Sequence, residues 1–120
     1  MKKQVLAKVA KPLTILEEAQ LAVYGDRQAD YGNVLDNFGT TAKLWEIVLG
    51  AKVTPEQVGL CMIQLKIARQ MFKPKRDNLV DAAGYAATIE KMNDERKKIA
   101  ENNMLDLIKM IDSVKTKKKK

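Results

Sequence analysis

The chain of 120 residues has no histidine, one cysteine, and only 5% aromatic residues. The lack of histidine excludes the commonest general base, the serine–histidine pair of many hydrolases, and most zinc sites. A single cysteine, Cys61, excludes an intrachain disulfide framework and predicts a reducing compartment. No apolar run approaches the roughly 20 residues that span a membrane, and the N-terminal stretch lacks the pattern of a signal peptide. We therefore expect one soluble domain with no membrane partner.

The positive charge is concentrated at the two ends of the chain. Residues 1–11 carry four lysines and residues 115–120 carry five, with no acidic residue in either segment. Because the net charge is +7, removing these nine lysines leaves residues 12–114 with a net charge of −2. A folded surface that binds DNA would instead carry its positive charge within the domain. We predict a basic N-terminal arm over 1–12, a single domain over 13–114 and a disordered lysine tail over 115–120.

Helical periodicity recurs through the domain, and the alternation typical of strands is absent. A first helix is predicted over 13–24, with Gly25 as its stop. Asn33 or Asp36 caps a second helix that ends at Gly50.

The third predicted helix has a strong start signal, because Thr54, Pro55 and Gln57 together have the pattern of a capping box. It runs to about Phe72, and a fourth helix begins near Asp77 and continues past Met92. Amphipathic spacing then marks a C-terminal segment, which Asn102 and Asn103 either interrupt or leave continuous. The fold class that this pattern predicts is all-α: an antiparallel helical bundle of four main helices plus a C-terminal amphipathic helix.

The apolar stripe of the third helix includes a cation. In sequence order the stripe consists of Val58, Met62, Leu65, Arg69 and Phe72. A guanidinium buried on that stripe requires a partner, which predicts a contact of Arg69 with Asp77 or Asp81. Two alternatives remain open: a phosphate contact shared with Lys66, one turn earlier, or a helix rotation that exposes Arg69.

The fourth helix is apolar over most of its circumference, which predicts a central position in the fold. Asp77 and Asp81 stand one turn apart on its narrow polar stripe, a spacing that lets two carboxylates share a divalent cation. A thin solvated face, or a partner for Arg69, is the alternative interpretation. Gly84 and the alanines around it predict close packing by another helix. Tyr85 belongs to the same polar stripe and is a candidate nucleotide contact.

A charged connection, GDRQADYG, joins the first two predicted helices and contains Arg27 and Tyr31. Loops on a rigid scaffold often carry binding groups, although charged turns are also common. Glu17 and Glu18 lie one to two turns earlier and could reach the same cleft.

The segments ILEEAQ, GDRQADYG, LKIAR and DNLVDAAGYA together resemble a family of small helical proteins of bacteriophages and prophages, over about residues 14–90. That resemblance implies a protein in the cytoplasm of an infected bacterial host. More distantly, the arrangement is similar to the MazG-like all-α nucleotide pyrophosphohydrolases. Those enzymes are oligomers that hold magnesium between an E-x-x-E motif on one helix and an E-x-x-D motif on the next.

The chain matches these two motifs only in part. Asp81 closes the second motif, and Asp77 can replace the glutamate that Asn78 displaces. Glu17 opens the first motif, but Gln20 stands where its second glutamate should be. The resemblance therefore implies Mg²⁺ held by carboxylates of both segments, which are Asp77, Asp81, Glu17 and Glu18. The residues it implies for the nucleotide and its phosphates are Lys66, Arg69, Arg27, Tyr31 and Tyr85.

Three functional hypotheses follow from these patterns. The favoured one is a phage accessory protein that binds a nucleotide or a host bacterial protein, and blocks a host process or defence without catalysis. The second is a magnesium-dependent nucleotide pyrophosphohydrolase. The third, which the acidic domain disfavours, is a loose nucleic-acid binder that uses the lysine-rich ends.

Self-association is a further expectation. A fourth helix that is apolar on most sides needs more cover than four short helices provide. The C-terminal amphipathic segment supplies the expected homo-oligomer seam, with Met104, Leu107, Ile108 and Ile111 on one face.

Overall fold

The computed structural model describes residues 11–25 and 33–118, which form four α-helices and, within these ranges, no strand. The all-α prediction is therefore confirmed. The N-terminal arm up to residue 10 and the loop residues Arg27 and Tyr31 lie outside the described residues. The four helices are α1 (Ile15–Tyr24), α2 (Val34–Leu49), α3 (Pro55–Phe72) and α4 (Arg76–Lys118).

Reciprocal capping boxes begin α1 and α3, and the box of α3 is the one that the sequence predicted. The Thr14 hydroxyl accepts from the Glu17 backbone N–H at 3.2 Å, and the Glu17 carboxylate accepts from the Thr14 N–H at 3.0 Å. Thr54 and Gln57 repeat this arrangement at 3.1 and 2.9 Å. Each box satisfies backbone donors that the first turn of a helix leaves unpaired.

Asn33 is the residue that caps α2. Its side-chain oxygen accepts from the backbone N–H groups of Leu35 at 2.8 Å and Asp36 at 3.3 Å, which leaves Asp36 inside the first turn. Gly50 ends α2 in the left-handed conformation, with φ of 66°, as predicted for a glycine stop.

The fourth and C-terminal helices are a single element. Of the two alternatives left open at Asn102 and Asn103, the structure has the continuous helix, because α4 runs for 43 residues, a length of about 64 Å. Asn102 and Asn103 lie inside α4, since asparagine lowers helix propensity by well under 1 kcal/mol and does not stop a helix. Residues 115–118 of the predicted lysine tail are helical, and residues 119–120 lie outside the described residues.

The predicted central position of α4 is confirmed, because α1, α2 and α3 all pack against it. Ion pairs reinforce two of these contacts, Glu18 of α1 with Arg76 and Glu56 of α3 with Arg96. One cluster of core residues joins three helices and consists of Val34, Phe38, Ala42, Val58 and Met92.

The helices form an elongated molecule. The principal-axis extents are 71 × 46 × 19 Å, and the radius of gyration is 20.2 Å, against about 13 Å for a compact domain of 100 residues. The cause is α4: Met92 is its last buried residue, and the helix runs on far beyond the ends of its neighbours. None of the helices in the described ranges combines the length and hydropathy that crossing a membrane requires.

Candidate functional site

A cleft of about 240 Å³ lies between α1 and α4. Two residues of α1 and five of α4 line it, and those of α4 recur at the spacing of one helix face. The lining residues are Ala22, Val23, Val80, Asp81, Gly84, Tyr85 and Thr88. Two of these seven, Ala22 and Gly84, have a methyl group or no side chain, so the two helices pack without filling the space between them.

Valines of both helices make part of the cleft apolar, and its polar side chains belong to α4. Val23 is 1% exposed and Val80 is 6% exposed. The buried Thr88 hydroxyl donates to the Gly84 carbonyl oxygen at 2.8 Å, so it can only accept a hydrogen bond from a ligand. A Cβ added at Gly84 would meet Val23 at 3.7 Å, an ordinary contact, so the close packing predicted at Gly84 is not found there.

The Lys66 ammonium, on α3, lies 2.9 Å from the Asp81 carboxylate at the edge of the cleft. The Lys66 side chain is only 15% exposed, whereas the Asp81 side chain is 45% exposed. The ion pair thus holds a largely covered cation beside a carboxylate that water still reaches. Asp81 therefore connects the cleft between α1 and α4 to a cation on α3.

Arg69 is exposed, and among the described residues no ion pair joins it to Asp77 or Asp81. The predicted contact is therefore wrong, and the rotation of α3 that was the alternative accounts for it. The α3 face turned toward its neighbours lies about 60–80° from the predicted stripe, at 100° per residue. The residues on that face are Val58, Gly59, Met62, Ile63, Lys66 and Gln70, while Leu65, Arg69 and Phe72 are exposed.

Gly59 explains the rotation of α3. A Cβ at this position would lie 2.8 Å from Ile89 Cγ1, closer than side chains approach one another. The glycine therefore lets α3 approach α4 with this face inward, and Lys66 follows two turns later on the same face. Apolar periodicity does not mark this position, because a glycine has no side chain that contributes to the hydrophobic pattern.

The four predicted metal-binding carboxylates have separate roles. Glu17 closes the α1 capping box, and the hydrogen bond from the Thr14 backbone N–H lowers its pKa. Glu18 pairs with Arg76, Asp81 pairs with Lys66, and Asp77 is exposed in the first turn of α4.

Within the ranges 11–25 and 33–118, no three acidic or cysteine side chains come close enough to hold a metal ion. The described carboxylates therefore do not fit a magnesium site in this arrangement, and the Mg²⁺ expectation stays a prediction. Two further loop acids, Asp26 and Asp30, lie outside the described residues.

Lys91 contacts the C-terminal end of α1, an interaction that was not predicted from the sequence. Its ammonium lies 3.4 Å from the Val23 carbonyl oxygen and 5.4 Å from the centroid of the Tyr24 ring. The last turn of α1 has no basic residue of its own, so Lys91 supplies the cation that a helix C-terminus favours. Burial, with smaller contributions from Glu90 and Asp94, raises the pKa of Tyr24. The absence of a basic residue from the last turn of α1 is the sequence feature that could have indicated this contact.

Residues 14–93 match the family described as Domain of unknown function (DUF6378). The chain belongs to this family. The cleft and the Lys66–Asp81 pair fall inside the matched DUF6378 region, whereas residues 94–118 of α4 lie beyond it.

Two phage proteins are similar to this DUF6378 chain. The Gene 55 protein of Mycobacterium phage L5 is 43% identical over 89 residues, which cover 70% of this chain and 57% of that protein. The Gene 55 protein of Mycobacterium phage D29 is 37% identical over 83 residues, covering 68% and 55%. The chain thus spans a little over half the length of these relatives. No solved structure matches significantly. The predicted resemblance to a phage protein family is confirmed, and the likeness to MazG-like enzymes stays a prediction.

Proposed function

We propose that this DUF6378 protein is a phage accessory protein that binds a nucleotide at the α1–α4 cleft without hydrolysing it. The observation that carries the proposal is the covered Lys66 ammonium, paired with Asp81 at the edge of a cleft that Tyr85 also lines. By sequestering a nucleotide of the infected cell, such a protein would act on a host process or defence.

The polar groups of the cleft match the parts of a nucleotide. The Lys66 charge is poorly screened by water, so a phosphate that contacts it gains a strong charge-assisted hydrogen bond. Tyr85 offers an aromatic ring on which a base can stack, and Thr88 offers an acceptor for an amino group of the base. A volume near 240 Å³ lies just below the usual range for ligand pockets, about 300–1,000 Å³. A mononucleotide therefore suits the cleft better than a dinucleotide.

Asp81 opposes phosphate binding in this arrangement. A phosphate at Lys66 would approach the Asp81 carboxylate and repel it, and the exposure of Asp81 lets its side chain turn toward water. Because the remaining acids are separated or paired, the described residues support binding without hydrolysis. Asp81→Asn is then expected to leave nucleotide affinity unchanged or to raise it.

Isothermal titration calorimetry with nucleoside mono-, di- and triphosphates, with and without magnesium, tests the proposal. Lys66→Met is expected to lower affinity at least tenfold, because a charged hydrogen bond contributes about 1.5–3 kcal/mol. Lys43→Met removes an exposed lysine of α2 and serves as the control. Equal affinities of Lys66→Met and wild type would exclude the cleft as the binding site.

The alternative function is a magnesium-dependent nucleotide pyrophosphohydrolase. It is favoured by the Glu18–Arg76 ion pair, which brings an α1 carboxylate to the first turn of α4, where Asp77 also lies. Pyrophosphate release from nucleoside triphosphates in magnesium separates the two functions. Release that Asp77→Asn or Asp81→Asn abolishes would establish the alternative, and magnesium-independent binding with no release would support the non-catalytic proposal.

A further inference from the structure

The residues of the distal segment, defined as residues 99–118 of α4, are all exposed. It nevertheless carries large apolar residues: Met104, Leu107, Ile111 and Val114 are 47–57% exposed. Most of the stability of a helix in a protein comes from packing of its apolar face, and this segment also contains asparagines and β-branched residues, which lower helix propensity. Its helical state therefore needs a partner that covers the apolar side.

The apolar residues of the distal segment form a seam suited to another helix. Met104, Leu107, Ile111 and Val114 are spaced three, four and three residues apart, which is the a and d spacing of a coiled coil. Ile108 and Met110 flank this seam on its two sides. Such a seam accepts a helix with the same pattern, and a second copy of the chain carries that pattern by definition.

We propose that two copies of this chain pair through their distal segments as an antiparallel coiled coil, with the two-fold axis crossing each helix at the level of residue 109. In this register Met104 faces the partner's Val114, and Leu107 faces the partner's Ile111. The Ile108 residues of the two copies lie near each other across the axis. All four large seam residues are thus matched with apolar residues.

Charge favours the antiparallel direction. The end of α4 is basic, with Lys115, Lys117 and Lys118 inside the helix. A parallel pair would place these lysines beside those of the second copy, whereas the antiparallel register places Lys115 near the partner's Glu101.

Sedimentation equilibrium of the full chain tests the seam. Wild type is expected to be a dimer at micromolar concentration, and Ile108→Asp is expected to raise the dissociation constant at least tenfold, because it places two carboxylates together at the axis. Ser113→Asp, on the opposite face, is the matched control and should remain dimeric. A monomeric wild type, or an Ile108→Asp dimer of undiminished affinity, would overturn the proposal.

Mixing of charge variants tests the direction. Glu101→Lys and Lys115→Glu should each weaken their own dimer by about three- to tenfold, because each variant loses two interhelical ion pairs and creates repulsion. An equimolar mixture should recover wild-type affinity as a heterodimer, since each new lysine then faces a new glutamate. In a parallel pair these positions are about 21 Å apart along the helix, and the mixture would show no recovery.

Discussion

Gly59→Ala is expected to destabilise the protein, although alanine is the better helix former. In the middle of α3 the substitution gains about 0.5–1 kcal/mol of helix propensity. The new Cβ would lie 2.8 Å from Ile89 Cγ1 and 3.1 Å from Ile89 Cδ1. Overpacking of this kind costs about 1–3 kcal/mol, because a β-branched isoleucine has few other rotamers. The expected net loss in the free energy of unfolding is about 1 kcal/mol, within a range of about 0–2.5 kcal/mol.

Gly39→Ala is the matched control for this prediction. Gly39 lies inside α2, and no atom is within 4 Å of an added Cβ there. The same substitution should therefore stabilise the protein by about 0.5–1 kcal/mol through helix propensity alone. The two glycine variants are expected to shift stability in opposite directions, although each adds one methyl group to a helix interior.

Urea and thermal unfolding followed by circular dichroism measure both variants at one protein concentration, because self-association would make the midpoint concentration-dependent. A change of 1 kcal/mol corresponds to about 4–8 °C in Tm for a domain of this size. Introduced into an Ile89→Ala background, Gly59→Ala should lose its cost, since both crowded carbons are then absent. A Gly59→Ala protein as stable as Gly39→Ala would refute the close approach of α3 to α4.

Three further predictions concern helix ends. Thr54→Ala should cost about 0.5–2 kcal/mol in urea unfolding, because it removes the acceptor for the Gln57 backbone N–H. Gly50→Ala should cost about 1–2 kcal/mol in thermal unfolding, since φ is 66° at that position. The Thr14 N–H lowers the pKa of Glu17, so its stabilisation is present above the unfolded pKa of roughly 4 and is lost as pH falls through the lower folded pKa. Melting curves between pH 6 and 2 should show a smaller pH dependence for Glu17→Gln than for wild type.

The polar contacts of the candidate site were predictable only in part. Asp81 and Tyr85 were identified because the polar stripe of α4 is narrow, and both line the cleft. Lys66 was identified as a companion of Arg69, yet Lys66 makes the ion pair and Arg69 faces solvent. Spacing alone could not separate them, because the two side chains are less than 90° apart on α3 and the inward direction depends on the neighbouring helix.

Local sequence signals predicted the all-α class and most of the helix ends. The capping box at Thr54 and the glycine stop at Gly50 involve groups within four residues of each other, so local chemistry suffices to place them. Which face of α3 is buried depends on the packing of the helices, because the close approach at Gly59 involves a side chain of α4. How much of α4 is buried depends on packing for the same reason: its buried residues end at Met92, while its hydrogen-bonded backbone continues to Lys118.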